Sequence, residues 1–303
     1  MKTNLSRECD LAFMKLPREV KHWLNEKSRL VQTSNNLTMV KIILSDYREY
    51  LEKNKKSILS FSGGKDSTAL LLMMLEKGMH LDYILFCDTT EEWPQMYEHI
   101  DKVDDYIKKN YGMHITRIKS PHSFLYWMTE YQKTKGHTMD IKGFGWGTFK
   151  RRWCTKALKI LPIRALMAEH GLTKANTKEY VGIAADEPKR IKDKIYPLFE
   201  WGITEKMALE YCYSKGFHWG GLYDHNSRLS CWLCPLQNRQ SLKNMYMYYP
   251  EMWERLKKYN ELVMKCGHKY QFKQFDETSK TLDEWEEVFK KECAFESRET
   301  SLF

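Results

Sequence analysis

Ile58-Leu59-Ser60-Phe61-Ser62-Gly63-Gly64-Lys65-Asp66-Ser67-Thr68-Ala69-Leu70-Leu71-Leu72-Met73-Met74-Leu75 decides how the rest of the chain is read. Residues 58–61 are a short apolar run that opens on a β-branched side chain, as a buried parallel strand does. From Thr68 onward the leucines and methionines suit a helix buried on most sides. Between the two, Gly63 and Gly64 let the backbone approach a ligand with no Cβ in the way. The first amides of the helix point outward at the positive end of its dipole, so the turn is an expected anion site. Ser62, Ser67 and Thr68 add hydroxyls and Lys65 a positive charge. Asp66 is expected either to cap the helix or to contact magnesium.

The 303-residue chain has room for one large α/β domain with additions, and 42% hydrophobic residues supply a sizeable core. Met1 to Asp10 is polar, and the longest apolar run, Ala69 to Leu75, is far short of the ~18–20 residues that span a bilayer. A soluble, cytoplasmic protein with no membrane partner is the expectation. Eight cysteines in such a chain point to metal or thiol chemistry rather than to a disulfide framework. A net charge of +9, from 49 Lys+Arg against 40 Asp+Glu, favours polyanionic ligands without singling out nucleic acid.

Residues 1–56 read as an N-terminal helical extension, with helices near 18–30 and 37–51. Residues 57–240 read as a nucleotide-binding domain with a cysteine-rich site, and 241–303 as a C-terminal helical extension. Within the central part, strands are expected at Tyr83–Cys87, Ile115–Ile118 and Tyr180–Ala184, with helices at Pro94–Asn110 and Lys159–His170. That alternation predicts an α/β fold with a doubly wound, mostly parallel sheet, whose ligands lie beyond the carboxyl ends of the strands. Asp88 then falls beside Ser62. In Gly143 to Lys156, three glycines alternating with aromatics read as a mobile flap, and Lys150-Arg151-Arg152 as an anion-binding run. Cys231-x-x-Cys234 presents two thiolates from one turn, half of a metal site. Cys212 is a candidate further ligand. His218 and His225 are alternatives that would favour zinc, and Cys9 and Cys87 read as structural.

No G-x-x-x-x-G-K-[ST] and no strand-borne G-x-G-x-x-G occurs in the chain. Ser-Gly-Gly-x-Asp-Ser at 62–67 instead resembles the PP-loop of the ATP pyrophosphatase superfamily. Three further blocks follow in order: Asp88-Thr89; Arg152-Trp153-Cys154-Thr155 with Lys159; and Gly182 to Arg190 followed by Trp201 and Cys231-x-x-Cys234-Pro235. Together they resemble the phosphoadenosine phosphosulfate (PAPS) reductase family.

The resemblance implies ATP with Mg²⁺ bound across the strand ends. Ser62, Gly63, Gly64, Lys65, Asp66 and Ser67 would hold phosphates, with Asp88 and Thr89 near ribose or metal and Gly182 and Arg190 completing the nucleotide site. Lys65, Asp66, Arg152 and Lys156 are the implied catalytic residues. Cys154 stands where iron–sulfur reductases of the family carry a cysteine pair, so Cys154, Cys212, Cys231 and Cys234 are the expected ligands of an iron–sulfur cluster or Zn²⁺. Family reductases attack with the cysteine of a Glu-Cys-Gly-x-His motif. Here the chain offers Lys291-Glu292-Cys293-Ala294-Phe295-Glu296 and Lys265-Cys266-Gly267-His268. The expected activity is therefore adenylation of a substrate with pyrophosphate release, with sulfur transfer to nucleic acid or a small molecule and a sulfur-donor protein as possible partner. A thiol-dependent reductase is the alternative enzyme, and a nucleotide-sensing or DNA-binding regulatory module the alternative of another class.

Overall fold

The computed structural model describes residues 55–136 and 138–300, with side chains through 295. The expected N-terminal helices and Cys9 lie outside the described residues. Strand β1 (Lys56–Phe61) leads through the glycine turn into α1 (Lys65–Glu76). Then come β2 (Tyr83–Asp88), α2 (Pro94–Tyr111), β3 (Thr116–Lys119) and the short α3 (Phe124–Thr129). A π-helical stretch (Lys156–Ile160) runs into α4 (Leu161–Glu169), and β4 (Thr177–Val181) is followed by α5 (Glu205–Ser214). The sheet order is β3-β2-β1-β4, all parallel, so this is the doubly wound α/β arrangement. Its register sets Phe61 opposite Phe86 and Asp88 opposite Lys119, which brings the β1 and β2 ends side by side.

Helix α1 is buried nearly all round, with Ala69, Leu70, Leu71 and Met74 fully covered. That explains why the sequence there has no polar stripe. Strand β4 ends three residues earlier than the sequence reading placed it. After Val181, whose amide donates to Ile195 O at 3.0 Å, the chain turns at Gly182 and crosses the start of α1.

Three helices follow residue 238: α6 (Arg239–Tyr248), α7 (Pro250–Lys265) and α8 (Leu282–Thr300). Leu242, Met245, Trp253, Leu256, Val263 and Phe289 share one core with Leu70, Phe86 and Ile100. Ser57–Leu172 and the chain from Lys178 onward form one compact unit; Lys56 and Thr173–Thr177 group apart from it, joined by Lys56 N to Asn176 O at 2.8 Å. Among the described residues no helix is long and apolar enough to cross a membrane.

Candidate nucleotide site and cysteine turn

The glycine turn is braced from three sides. Gly63 has φ +79°, and a Cβ there would stand 2.7 Å from Met96 Sδ, so only glycine fits. Its carbonyl accepts the indole N–H of the buried Trp219 at 2.7 Å. Trp219 in turn stacks on His99, whose Nε2 lies 3.0 Å from Thr68 Oγ1. Burial, reinforced by Lys102, pushes His99 down to about 3, so it is neutral at physiological pH. Tyr223, whose ring meets Trp219 edge-on at 4.9 Å, accepts the Lys65 amide at its OH at 2.8 Å. Gly182 lies against the backbone of Asp66 and Ser67, where a Cβ would come within 2.8 Å. Ser62 and Ser67 face each other across the turn with their hydroxyl oxygens 3.0 Å apart.

Gly64 is the N-cap of α1, so Asp66 lies in the first turn and does not cap the helix. The Lys65 ammonium is buried, 3.2 Å from Asp66 and 3.5 Å from Glu205. Oxygens of Asp66, Glu187 and Glu205 lie within 4.8 Å of one another. Asp66 Oδ1 is buried with no hydrogen-bond partner. Burial holds the Asp66 carboxyl above the usual carboxylate range, and Lys65 offsets only part of that. An orphaned carboxylate oxygen beside two more carboxylates fits a divalent cation with hard oxygen ligands. Asp186 Oδ1 takes the Glu205 amide at 3.1 Å, tying the 185–190 loop to α5, and Arg190 pairs with Glu187.

At the end of β2 the geometry separates two residues read together. Asp88 is fully engaged: Oδ1 accepts Tyr97 OH at 2.7 Å and the Thr90 amide at 2.8 Å, and Oδ2 pairs with Lys119 at 3.0 Å. Thr89 instead turns to the cysteines. Its hydroxyl donates to Glu92 at 2.8 Å and lies 3.5 Å from Cys231 Sγ, and Cys231 Sγ donates to the same Glu92 oxygen at 3.4 Å. Burial pushes the Cys231 thiol well up, Glu92 adds to the shift and Lys159 opposes it. Lys159 has its charge opposed by burial yet is held above its ordinary range by Cys231, Glu92, Cys87 and Cys154. The π turn at Lys156–Ile160 widens the helix by one residue per turn and aims Lys159 inward while Lys156 stays exposed.

Burial raises the Cys154 and Cys231 thiols, and the charge of Cys234 raises each of them further. Cys212 does not join them. It is fully buried on α5 beneath the glycine turn, its thiol donating to Lys65 O at 3.5 Å. The α5–α1 packing that covers the loop carries it there. The sulfurs of a closed zinc site stand about 3.8 Å apart. Among the described residues no three cysteines have their sulfurs within 4.8 Å of one another, so the set does not fit such a site. Cys87, read as structural, faces Lys159 from β2.

The glycine–aromatic stretch is packed down over its first half. Gly143, Gly145, Trp146 and Gly147 are buried, Trp146 Nε1 donates to Asn260 at 3.1 Å, and Phe144 stacks between Tyr131 and Trp153. The backbone passes so near Met128 O that a Cβ on Gly143 would lie 2.0 Å from it. Only Phe149 to Arg152 stand out as exposed, so the expected flap reduces to a short tip. Arg152 is exposed at the root of that tip, next to Cys154.

The sequence reading missed Trp219, Tyr223, Glu187, Glu205 and Glu92 as site residues, and gave Lys159 no role. Glu187 and Lys159 lie within blocks that carry the resemblance, whereas Trp219, Tyr223 and Glu205 have no local signature and reach the turn from distant segments. Comparison with known proteins agrees with the architecture. The family model described as phosphoadenosine phosphosulfate reductase domain matches residues 56–237. An uncharacterized protein of Methanocaldococcus jannaschii, MJ0066, is 25% identical over 226 residues, 67% of this chain and 41% of that protein. An uncharacterized nin region protein of Escherichia phage lambda, ORF290, is 28% identical over 154 residues, 46% of this chain and 51% of that protein. The chain thus spans about half the length of these relatives or less. A phosphoadenylyl-sulfate (PAPS) reductase from Candida auris in a phosphate complex is 16% identical with a TM-score of 0.38, covering 69% of this chain and 92% of the reductase. The U34-tRNA thiolase NcsA from Methanococcus maripaludis, with its 4Fe-4S cluster, is 12% identical with a TM-score of 0.37, covering 77% and 85%.

Proposed function

The chain belongs to the phosphoadenosine phosphosulfate reductase domain family, and from that premise we propose that it binds ATP at the glycine turn and transfers adenylate to an acceptor with release of pyrophosphate. The observation that carries the proposal is the braced turn with three carboxylates at its edge. The α1 dipole, the Ser62 and Ser67 hydroxyls and Lys65 receive phosphate charge. To do so Lys65 exchanges Asp66 and Glu205 for phosphate oxygens. Asp66, Glu187 and Glu205 hold Mg²⁺, which supplies neutralisation of the leaving group's charge. The acceptor's nucleophile bonds to the α-phosphorus, the bond to the bridging oxygen breaks, and pyrophosphate leaves with that electron pair. Gly182 keeps the backbone of Asp66 and Ser67 fixed during binding. Arg152, Lys156 and Arg190 supply positive charge to the anionic substrate, with Asp88 holding Tyr97 and Lys119 in place at the strand end.

Cys154, Cys231 and Cys234 are proposed to hold an iron–sulfur cluster, with Lys159 balancing its negative charge. Such a cluster supplies a soft metal able to carry sulfur. The free thiols among the described residues suit a cytoplasmic setting. Two assays test the reading. Titration with ATP and Mg²⁺ should show binding that Gly64→Val abolishes, because its Cβ already lies 3.3 Å from Tyr223 OH and the branches project toward the phosphates. Undiminished affinity in that variant removes the site. Thioredoxin-coupled release of sulfite from either sulfonucleotide should be absent, since Cys293 lies within α8 rather than on a free tail. Turnover that vanishes in Cys293→Ser moves the assignment to a reductase.

A further inference from the structure

Residues 130–152 carry six Lys or Arg against Glu130 and Asp140. Among the described residues no ion pair joins Lys142, Lys150, Arg151 or Arg152 to an acid. Folding draws several of these charges together. Lys133 donates to Gly143 O and is held below its ordinary range by burial, with Asp140 favouring its charge and Arg151 opposing it. His268 Nε2 donates to Lys142 O at 3.0 Å. Burial lowers it, and Lys133 and Arg151 lower it further. Like charges in excess of their counter-charges store repulsion that a bound polyanion relieves.

At the tip of this surface sits Phe149. Thr148 and Arg151 close a tight turn with paired backbone bonds of 3.2 Å, so Phe149 and Lys150 are presented on a fixed scaffold. One side of the Phe149 ring meets Phe275 at 5.4 Å, yet the residue is 71% exposed, the most exposed large hydrophobic among those described. An apolar ring held out in water between cations is costly unless something covers it. A nucleobase does so with its π-face while the neighbouring Lys and Arg meet its phosphates. The tip is rooted beside Cys154, whose Sγ would lie 3.9 Å from a Cβ on Gly147.

We propose that the Phe149–Arg151 tip, with Lys133 and Lys142 behind it, is a docking surface for a single-stranded polynucleotide. Phe149 stacks on an unpaired base, and the cations track the backbone toward the cysteine turn. A duplex hides its base faces and cannot use the ring. Neither Phe149, Lys150 nor Arg151 takes part in the adenylation proposed above.

The test is fluorescence anisotropy with the full chain and end-labelled 20-nucleotide single-stranded DNA and RNA, a 20-base-pair duplex, and anionic phosphatidylserine vesicles. Lys150→Glu with Arg151→Glu is compared with Lys206→Glu plus Lys265→Glu, which change net charge equally on exposed helical residues. Binding to both single strands should weaken with salt, and fall at least tenfold in the tip variant but less than threefold in the control. Phe149→Ala should lower single-strand affinity about fivefold or more and leave duplex affinity unchanged. ATP binding measured on the same preparations should be intact in every variant, so loss of the nucleotide site is read separately. Equal losses in tip and control variants, unchanged single-strand affinity in Phe149→Ala, or binding to vesicles but not to oligonucleotides would each overturn the proposal.

Discussion

Asp66 shows what one residue gives up for the site. Its carboxyl binds a proton more tightly in the folded chain than in the unfolded one, because burial outweighs the nearby Lys65. The folded state therefore pays a growing cost as pH rises through the raised value. Near the ordinary value of 3.8 and below, both states carry the proton and the cost disappears. Asp66→Asn should raise the melting temperature at pH 8, with the gain shrinking toward pH 4, while Mg²⁺-dependent ATP binding is lost. Thermal melts across pH and metal titration check both halves; a variant no more stable at pH 8 contradicts the electrostatic account. At this scale the sequence was informative about the turn itself, since glycines, hydroxyls and a lysine in six consecutive positions need only local geometry. It was silent on Trp219, Tyr223 and Glu205, which reach the turn from 138 to 158 residues away and are ordinary residues in their own segments.

At the scale of elements, two stretches departed from expectation for backbone reasons. The helix expected from Lys159 begins as a π turn, which periodicity read at 3.6 residues does not reveal, and which aims Lys159 at the thiols. Strand β4 stops at Val181 because Gly182 must lie against the start of α1. Helix α5 carries Cys212 away from the other cysteines, although sequence spacing places it close to Cys231. The consequence is measurable. In anaerobically purified protein, Cys231→Ser should lose most of its iron and its visible absorbance, and Cys212→Ser should keep both. Elemental analysis decides it: iron lost from Cys212→Ser but kept in Cys231→Ser reverses the ligand assignment.

On the scale of the whole molecule, the sequence made the parallel sheet legible through alternating strand and helix patterns. It also made residues 241–303 legible as helical, but not their place in the core, because a periodic apolar face does not say what covers it. Leu242, Met245, Trp253, Leu256 and Phe289 are all buried in the cluster that holds α1. A chain cut after Gln240 should therefore fail to give soluble, cooperatively melting protein, although it retains all the residues of the family match; a cooperative melt from that fragment would show the later helices to be dispensable. The same helices reach further. Glu91, just past the end of β2, accepts Trp232 Nε1 at 3.0 Å, Tyr259 OH at 2.8 Å and Arg255 at 2.9 Å. Trp232 lies between Cys231 and Cys234, and Tyr259 and Arg255 belong to α7. The cysteine turn thus takes its final position only when a partner synthesised 168 residues after Glu91 has left the ribosome. Metal loading of the thiols, as proposed above, would then wait for α7, and a chain interrupted before Tyr259 would leave those cysteines unclaimed.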